Sequence, residues 1–425
     1  MELMKIKYIK TDLFKHISTV FLWDNIAKFI GIITTIILIR GLSQEDYALF
    51  TMFGASLALF IGFISGGIRT AYVRFAAEEY SRNKKMPNEI FIISTVLCFT
   101  IFLILSPIII LFNKSISQLL FNDNIYSIAL YLGFMGAIGF FFIGIVSSYY
   151  QVQEKYHNSG FILSFQKLLF FLLLLMLIIF GSLNFLKVAI IQIVLFIVFG
   201  LFLFVQILKS ELLKNKLNLL INHFAIFLKA SSWLILYCIC ISIFSHLDVL
   251  MIGRLKTAND LANYGVAYKY YGMLILALPS IMTVLRVRNS KIDMIESIEK
   301  QKEFVKKWLR MSSKLAIPII LIILVASSFV MDFLNGPRYT ASILPFKILA
   351  VSSVFSYIFA PNISIFISMK KYTILFYFGL TALIINFFGN LWLISLIGIS
   401  GAALATLFSH LIVNGFSTAY VLLKK

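Results

Sequence analysis

Charged side chains stand inside stretches of the sequence that are otherwise hydrocarbon, and these are the residues whose types could do chemistry. In TVFLWDNIAKFIGIITTIILIR, Asp24 and Lys28 are one helical turn apart, and Asn25 follows the aspartate. A second lysine, Lys269, stands among tyrosines in NYGVAYKYYG. Lysine carries a compact positive charge with three hydrogen-bond donors, so these positions predict contacts to an anion.

The depth of the lysines restricts how they can be used. Lys28 lies about 11 residues into its apolar stretch, or roughly 17 Å along a helix, which is near the middle of a membrane. A charge there costs roughly 2.5–3.5 kcal/mol and therefore faces a protein interior or a wet cavity. The excess of basic over acidic residues predicts a cationic cleft that binds an anion. The lysines that lie well inside apolar stretches, and the acids at comparable depth, are Lys28, Lys167, Lys269, Lys347, Asp24 and Asp248.

Both acids leave more than one interpretation open. Asp24 and Lys28 either neutralise each other or belong to the anion site, with Asp24 tuning the lysine. Asp248 follows His246 in SHLDVLMIGR, where it is either a proton or cation site or the partner of Arg254. The pairing with Arg254 is the favoured interpretation.

The composition identifies the elements that must position these side chains. Of the 425 residues, 60% are hydrophobic and 13% charged, and the mean hydropathy is +0.96. A folded soluble surface needs more polar cover than this. Twelve apolar stretches are long enough to cross a membrane about 30 Å thick. They lie near residues 17–39, 47–68, 90–112, 126–149, 161–180, 185–208, 226–252, 261–285, 312–334, 341–368, 373–396 and 399–422.

The basic residues predict the orientation of these twelve helices. Most of the 37 lysines and arginines fall in alternate loops, on the side that holds both termini. That side is therefore expected to be cytoplasmic. The formal net charge of +19 is then explained by an anionic membrane surface as partner, and no nucleic acid is expected.

The second half of the sequence repeats features of the first half at one constant separation, which we call the repeat offset. Six pairs matched by this offset share their expected position relative to the membrane: Lys15 and Lys229, Ser18 and Ser232, Arg40 and Arg254, Asp46 and Asp260, Ala48 and Ala262, Arg74 and Arg288. Because each copy holds an even number of helices, the copies have the same orientation. The predicted fold is an all-α integral membrane protein with twelve helices in two parallel, pseudo-twofold six-helix bundles around a central cavity. Residues 1–208 and 226–425 would form the bundles, and 209–225 a cytoplasmic linker.

Several classes of protein are disfavoured by what the sequence lacks. It has no Walker motif, no cluster of metal ligands and no pairing of a nucleophile with a base, so a transporter is expected rather than an enzyme. The expected external loops are too short for a catalytic domain.

Asn386 and Asn390, one turn apart, are typical of hydrogen bonds between helices.

Five segments of the sequence carry a resemblance to known proteins: GIITTIILIRGLSQEDYALFTMFGA, SGGIRTAYVRFAAEEY, LDVLMIGRLKTANDLANYGVAYKY, NGPRYTASILPFKILAVSSVF and LIINFFGNLWLISLIGISGAALATLFSHLI. They resemble the bacterial polysaccharide or O-antigen (Wzx-type) flippases of the multidrug/oligosaccharidyl-lipid/polysaccharide exporter superfamily. The resemblance covers nearly the whole chain, and the closing helix pair is its most recognisable element.

The resemblance implies a flippase that moves undecaprenyl-pyrophosphate-linked oligosaccharides from the inner to the outer leaflet by alternating access. It would serve O-antigen, capsule or exopolysaccharide biosynthesis as a monomer in the bacterial inner membrane, next to a polysaccharide polymerase and chain-length machinery. No organic cofactor is expected, and coupling to H+ or Na+ would involve Asp248 and His246. Arg69 and Arg74 would act at the cytoplasmic mouth. The substrate-binding residues would be Lys28, Lys269, Asp24, Asn25, Arg69, Arg74 and Lys347.

Other functions remain as alternatives. A cation-coupled multidrug exporter has the same twelve-helix plan, but acids should then outnumber bases in its cleft. A membrane-embedded polysaccharide polymerase or acyltransferase would need catalytic groups, for which His246 and His410 are the candidates. A non-transporting assembly scaffold gives no reason for lysines in the middle of the membrane.

Overall fold

The computed structural model describes residues 2–83, 85–181, 183–209, 220–279, 281–282, 285 and 298–423. Within these ranges the chain is helical apart from short connections, and no described residue lies in a β-strand. The α-helices are α1 (Glu2–Gly41), α2 (Gln44–Ile61), α3 (Gly67–Asn83), α4 (Asn88–Phe121), α5 (Ser127–Val152), α6 (Tyr156–Ile179), α7 (Phe185–Ile207), α8 (Leu220–Leu255), α9 (Ala258–Leu274), α10 (Ile298–Asn335), α11 (Ile343–Ile358), α12 (Ala360–Ser368), α13 (Tyr372–Ile397) and α14 (Ile399–Leu423).

Eleven helical stretches of the described chain are long and apolar enough to span a membrane. They match eleven of the twelve expected spans, so the all-helical membrane fold is confirmed. The eighth expected span, 261–285, begins as α9 and continues as a 3-10 turn at Ile275–Ala277. Part of the remainder of that span lies outside the described residues.

The ends of the helices repeat with the offset found in the sequence. Gly41 and Leu255 end α1 and α8, Gln44 and Ala258 begin α2 and α9, Phe121 and Asn335 end α4 and α10, and Phe185 and Ile399 begin α7 and α14. The two members of each pair are separated by the same distance along the chain as Arg40 and Arg254. The duplication therefore extends to the boundaries of the helices.

Matching N-caps explain why α2 and α9 begin at equivalent positions. The backbone N–H of Asp46 donates to Ser43 Oγ (3.1 Å), and that of Asp260 donates to Thr257 Oγ1 (3.2 Å). Such caps satisfy N–H groups that the first helical turn leaves without a partner. Ser43 and Thr257 are themselves related by the repeat offset.

The chain divides into two compact units, each built from several segments. The first contains Met1–Ile37, Ser56–Asn113 and Ile128–Ile235; the second contains Leu38–Ala55, Lys114–Ser127 and Leu236–Lys425. Residues 210–219 of the expected linker 209–225 lie outside the described residues. The division into bundles 1–208 and 226–425 stays a prediction.

Glycines allow close helix contacts in the first unit. A Cβ on Gly133 would stand 2.7 Å from Ser56 Cβ, and one on Gly139 would stand 2.8 Å from Phe196 Cβ. Side chains there would force α5 away from α2 and α7, so these glycines allow the helices to pack closely. A π-helical turn at Gly62–Gly66 joins α2 to α3.

Candidate functional site

In the first unit, Asp24 and Lys28 form an ion pair on α1. Lys28 Nζ lies 3.3 Å from Asp24 Oδ2, and the Lys28 and Asp24 side chains are 15% and 42% exposed, respectively. The pairing favours the interpretation in which the two charges compensate each other. Asn25, on the same turn, is exposed.

A second lysine places an additional positive charge next to this pair. Lys167 projects from α6, and its Nζ lies 4.0 Å from the position that a Cβ on Gly31 would occupy. Its charge interacts favourably with Asp24 and unfavourably with Lys28. We call Asp24, Lys28 and Lys167 the N-site, whose formal charge is +1 with both lysines protonated. In the sequence, Lys167 is one of the lysines inside apolar stretches and has no predicted role, because no local motif links it to α1.

Contacts of Trp23, the residue immediately before Asp24, fix α1 against α6 and thereby position the N-site. Trp23 Nε1 donates to His157 Nδ1 (3.1 Å), and Ser164 Oγ donates to the backbone oxygen of Trp23 (3.0 Å). A Cβ on Gly160 would stand 2.6 Å from Trp23 Cβ, so only glycine gives the indole room there.

Arg69, expected at the cytoplasmic mouth, turns its guanidinium into the helix packing of the first unit. Its Nε and Nη1 are buried, and neither has a hydrogen-bond partner among the described residues. The guanidinium carbon lies 5.8 Å from the centre of the Phe140 ring. The guanidinium packs directly against the backbone of Gly144, where a Cβ would overlap Nη1.

We expect Gly144→Ala to lower stability by about 1–3 kcal/mol, because the new methyl group must displace the Arg69 guanidinium. The thermal unfolding midpoint of the purified protein in detergent would measure this loss. Arg69→Met should remove most of the clash, so the double variant should lose less than the sum of the single variants.

Gly415→Ala is the matched control. A Cβ there meets nothing within 4 Å, and the site is inside α14, where alanine is more favourable than glycine by about 0.5–1 kcal/mol. If Gly144→Ala were as harmless as Gly415→Ala, Arg69 would not occupy the position described.

Arg74, on α3, lies nearer to the surface of the first unit. Its guanidinium carbon is 5.3 Å from the centre of the Phe75 ring, and its charge interacts with Glu78 one turn later. Arg74 and Arg69 therefore contact different neighbours.

In the second unit, Lys269 projects from α9 towards α2. Its Nζ lies 6.0 Å from the centre of the Phe50 ring and 4.0 Å from the position of a Cβ on Gly54. Phe50 and Gly54 are one turn apart on α2. The ammonium group of Lys269 therefore lies over the Phe50 ring and in the space that Gly54 leaves by having no side chain. No carboxylate of the described residues lies within ion-pair distance of it. Lys269 is thus a positive charge without a compensating acid in this part of the chain.

The tyrosines around Lys269 fix the orientation of α9. Tyr268 donates to the backbone oxygen of Ser245 (2.5 Å), and its ring stacks on Tyr264 with centroids 6.3 Å apart. His246 packs edge-on against Tyr268 with ring centroids 5.9 Å apart, and it lies close enough to Lys269 for their charges to interact. We call Lys269 and His246 the C-site.

Asp248 is fully buried and does not pair with Arg254, so the favoured interpretation was wrong. Its Oδ2 accepts hydrogen bonds from Tyr264 Oη (2.5 Å) and Thr406 Oγ1 (2.6 Å). Its Oδ1 accepts from Asn390 Nδ2 (2.8 Å) and Asn386 Nδ2 (3.2 Å). Arg254 instead donates to backbone oxygens at the end of α4. Four neutral donors thus hold a carboxylate in the core of the second unit.

The Asp248 cluster combines residues that the sequence did not connect. Asn386 and Asn390 lie on the same helix, α13, and bond to each other (3.0 Å). Both also bond to Asp248 on α8, which agrees with the hydrogen bonding between helices that the sequence indicated. Tyr264 and Thr406 were missed, because they lie on other helices and no motif in the sequence links them to Asp248.

The remaining predicted residues lie apart from this cluster. His246 is two residues from Asp248 on α8, and it faces Tyr268 instead of the carboxylate. Lys347 is half-buried on α11. The structure therefore brings together Lys28 with Asp24, and His246 with Lys269, and it separates His246 from Asp248.

Comparisons with known proteins agree with this architecture. A family model described as "Polysaccharide biosynthesis protein" matches residues 13–286. No curated protein gives a significant match to the chain.

Three solved structures illustrate the similarity of fold. A lipid II flippase, MurJ, in an inward closed conformation is 17% identical with a TM-score of 0.70, over 96% of this chain and 87% of that one. An inward-facing multidrug resistance MATE transporter of the MOP superfamily is 11% identical with a TM-score of 0.74, over 95% and 94%. A MOP superfamily transporter from Pyrococcus furiosus, described as having a binding pocket of reversed polarity, is 12% identical with a TM-score of 0.68, over 96% and 95%. The twelve-helix, two-lobe fold class predicted from the sequence is confirmed.

Proposed function

The chain belongs to the family of polysaccharide biosynthesis proteins, and from that premise we propose that it is a flippase for undecaprenyl-pyrophosphate-linked oligosaccharides. It would move them from the inner to the outer leaflet of the bacterial cytoplasmic membrane by alternating access, with both termini in the cytoplasm. The observation that carries the proposal is the excess of positive charge at the N-site and the C-site.

The chemistry of a diphosphate suits these two sites. An ammonium group removed from bulk water attracts phosphate oxygens strongly, and charge-assisted hydrogen bonds are about twice as strong as neutral ones. At the N-site, Asp24 compensates one of the two lysines and leaves the second charge for a ligand. At the C-site, Lys269 has no carboxylate partner among the described residues. Each site can therefore bind an anion without first breaking an ion pair that neutralises it completely.

Asp248 is the residue that we assign to ion coupling, with H+ or Na+ as the coupling ion. A proton on the carboxylate would remove its charge and reverse one of its hydrogen bonds. Na+ would be held by the carboxylate and Thr406 Oγ1, with the amide oxygens of Asn386 and Asn390 turned towards it. Asn390 Oδ1 is buried and accepts no hydrogen bond from the described residues, so an oxygen ligand is available there. An all-oxygen set of this kind fits a hard cation.

The multidrug exporter is the alternative within the same superfamily. The MATE structure with the same fold is described as a multidrug resistance transporter. The Pyrococcus furiosus transporter, whose pocket is described as having reversed polarity, indicates that this fold is compatible with more than one type of pocket. Lysines at both candidate sites favour an anionic substrate over a cationic drug.

Complementation of a bacterial strain that lacks its own polysaccharide flippase tests the proposal. We expect the wild-type gene to restore surface polysaccharide and to abolish the cytoplasmic accumulation of lipid-linked repeat units. The same cells, assayed for resistance to cationic drugs, should show no gain. Drug resistance without restored polysaccharide would instead identify a multidrug exporter.

A further inference from the structure

Two arginines related by the repeat offset make the same kind of contact in the second unit. Arg40 Nε donates to the backbone oxygen of Leu334 (2.6 Å), and its Nη2 donates to that of Phe333 (2.8 Å). Arg254 Nη1 donates to the backbone oxygens of Leu119 (2.6 Å) and Leu120 (3.4 Å). Both guanidinium groups therefore bind pairs of consecutive carbonyl groups.

The acceptors repeat with the same offset as the donors. Leu119 and Leu120 lie in the last turn of α4, and Phe333 and Leu334 lie in the last turn of α10. The offset that carries Arg40 onto Arg254 also carries the first pair of acceptors onto the second. The last carbonyl groups of a helix lack partners and carry its negative dipole end, so a guanidinium is well suited to cap them.

The contacts cross between the two copies of the repeat. Arg40 at the end of α1 caps α10, which belongs to the second copy, and Arg254 at the end of α8 caps α4, which belongs to the first. Thr51 also packs against Gly265, its own equivalent in the second copy, and a Cβ on Gly265 would stand 2.7 Å from Thr51 Cγ2. Residues that contact their own equivalents lie on the local pseudo-twofold axis. The two caps are thus related by an axis that passes close to Thr51.

We propose that Arg40 and Arg254 form a crossed latch that holds these helix ends together on the outer face, and that both must release before the substrate can leave outwards. We define the latch as the two arginines and the four carbonyl groups that they cap. This inference rests on the proposed function and on the predicted orientation, in which Arg40 and Arg254 are external. Arg40 and Arg254 are positioning residues, since their described hydrogen bonds are to the chain itself.

The two halves of the latch differ in strength. Arg40 uses two nitrogens for two short bonds, whereas Arg254 uses one nitrogen for both of its bonds. Beside Arg40, Arg338 Nη1 donates to the backbone oxygen of Leu42 (2.9 Å) and Gln44 Nε2 donates to that of Arg338 (2.7 Å). Arg254 instead borders an open polar cavity of about 620 Å³ lined by Lys114, Gln118, Asn122 and Asn124. We therefore expect the Arg254 side to release more readily.

Cysteine accessibility tests the latch without any substrate. Thr51→Cys, in a chain whose Cys98, Cys238 and Cys240 are replaced by serine, places a buried thiol beneath the latch. We expect a membrane-impermeant maleimide added to intact cells to label it slowly. Arg40→Ala with Arg254→Ala should raise the labelling rate at least tenfold, and Arg40→Ala alone should raise it more than Arg254→Ala. Arg310→Ala, an exposed arginine elsewhere on α10, should leave it unchanged.

A disulfide that holds the latch closed tests the proposal in the opposite direction. Recovery of export on reduction would show that the variant is correctly folded. A Cβ on Gly265 would lie 3.0 Å from Thr51 Cβ, so the two helices need to separate by only about 0.8 Å to reach the Cβ separation of about 3.8 Å typical of a disulfide. Thr51→Cys with Gly265→Cys should cross-link under mild oxidation, stop export, and recover it on reduction. Cross-linking should slow in the double arginine variant.

Several results would overturn the latch. These are rapid labelling of Thr51→Cys with both arginines present, an unchanged rate in a correctly inserted double arginine variant, or labelling only after the cells are permeabilised. Labelling needs no substrate, so it tests the latch independently of the proposed function. If the wild-type protein failed to restore polysaccharide while the labelling rates changed as expected, the proposed function would be rejected and the latch would still be supported.

Discussion

Lys269→Ala is expected to abolish surface polysaccharide export while the protein still inserts and accumulates. Loss of a charged contact to a diphosphate costs roughly 2–3 kcal/mol, or about 30- to 150-fold in transport rate. The effect should be large because no acid of the described chain pairs with Lys269, so its charge stays available for a ligand. Surface polysaccharide in a complemented strain, normalised to the amount of membrane protein, measures the loss.

Two further variants serve as controls for Lys269→Ala. Lys269→Arg keeps the charge and should retain part of the activity. Lys187→Ala replaces an exposed lysine in the first turn of α7 that belongs to neither site, and it should retain all of the activity. Lys28→Ala should also abolish export, since it leaves Asp24 without its ion-pair partner and lowers the formal charge of the N-site from +1 to zero. Normal polysaccharide in both Lys28→Ala and Lys269→Ala would reject the cationic sites.

Asp248→Asn is expected to stop the response of transport to an ion gradient. Asparagine has nearly the same shape as aspartate but cannot carry a negative charge, so neither a proton nor Na+ would be exchanged there. If Na+ is the coupling ion, it should raise the unfolding temperature of the purified wild type and not that of the variant, because a ligand stabilises the state that binds it. If the ion is H+, only a pH gradient should drive the wild type.

Asp332→Asn is the matched control, since Asp332 is an exposed aspartate on α10. It should keep the full response to the gradient. An Asp248→Asn protein that still responds like the wild type would show that the buried carboxylate serves packing alone.

The fold could be predicted because its signals are local. The length of each apolar stretch predicts a membrane-spanning helix. A Ser or Thr followed three residues later by Asp marks the start of α2 in the first copy and of α9 in the second. The repeat offset, read from a few matched residues, recurs in the helix boundaries and in the two arginine caps.

The candidate sites were predictable only where their residues share a helix. Asp24 and Lys28 are one turn apart, and their ion pair was one of the two interpretations. Lys167 joins them from α6, and Asp248 finds its partners on α9, α13 and α14, which no spacing in the sequence reveals. The predicted pairing of Asp248 with Arg254 was wrong because Arg254 donates to backbone carbonyl groups instead. Every residue carries such a carbonyl group, so the sequence does not indicate which of them an arginine contacts.

Arg69 shows the same limit for packing. The sequence predicts a basic residue near the cytoplasmic end of the second span, and only the space left by Gly144 on α5 lets its guanidinium turn inwards. Such a vacancy depends on the distance between two helices, which the sequence does not state.

Movement of the lipid in reconstituted vesicles tests the central claim most directly. Purified protein would be placed in liposomes that contain undecaprenyl-pyrophosphate-linked oligosaccharide, and a membrane-impermeant glycosidase would report the fraction of sugar that becomes accessible. We predict that this fraction rises beyond the outer-leaflet share with the wild type and stays at that share with Lys269→Ala. A wild-type protein that behaves like protein-free vesicles, or a Lys269→Ala variant that moves the lipid as fast as the wild type, would contradict the account.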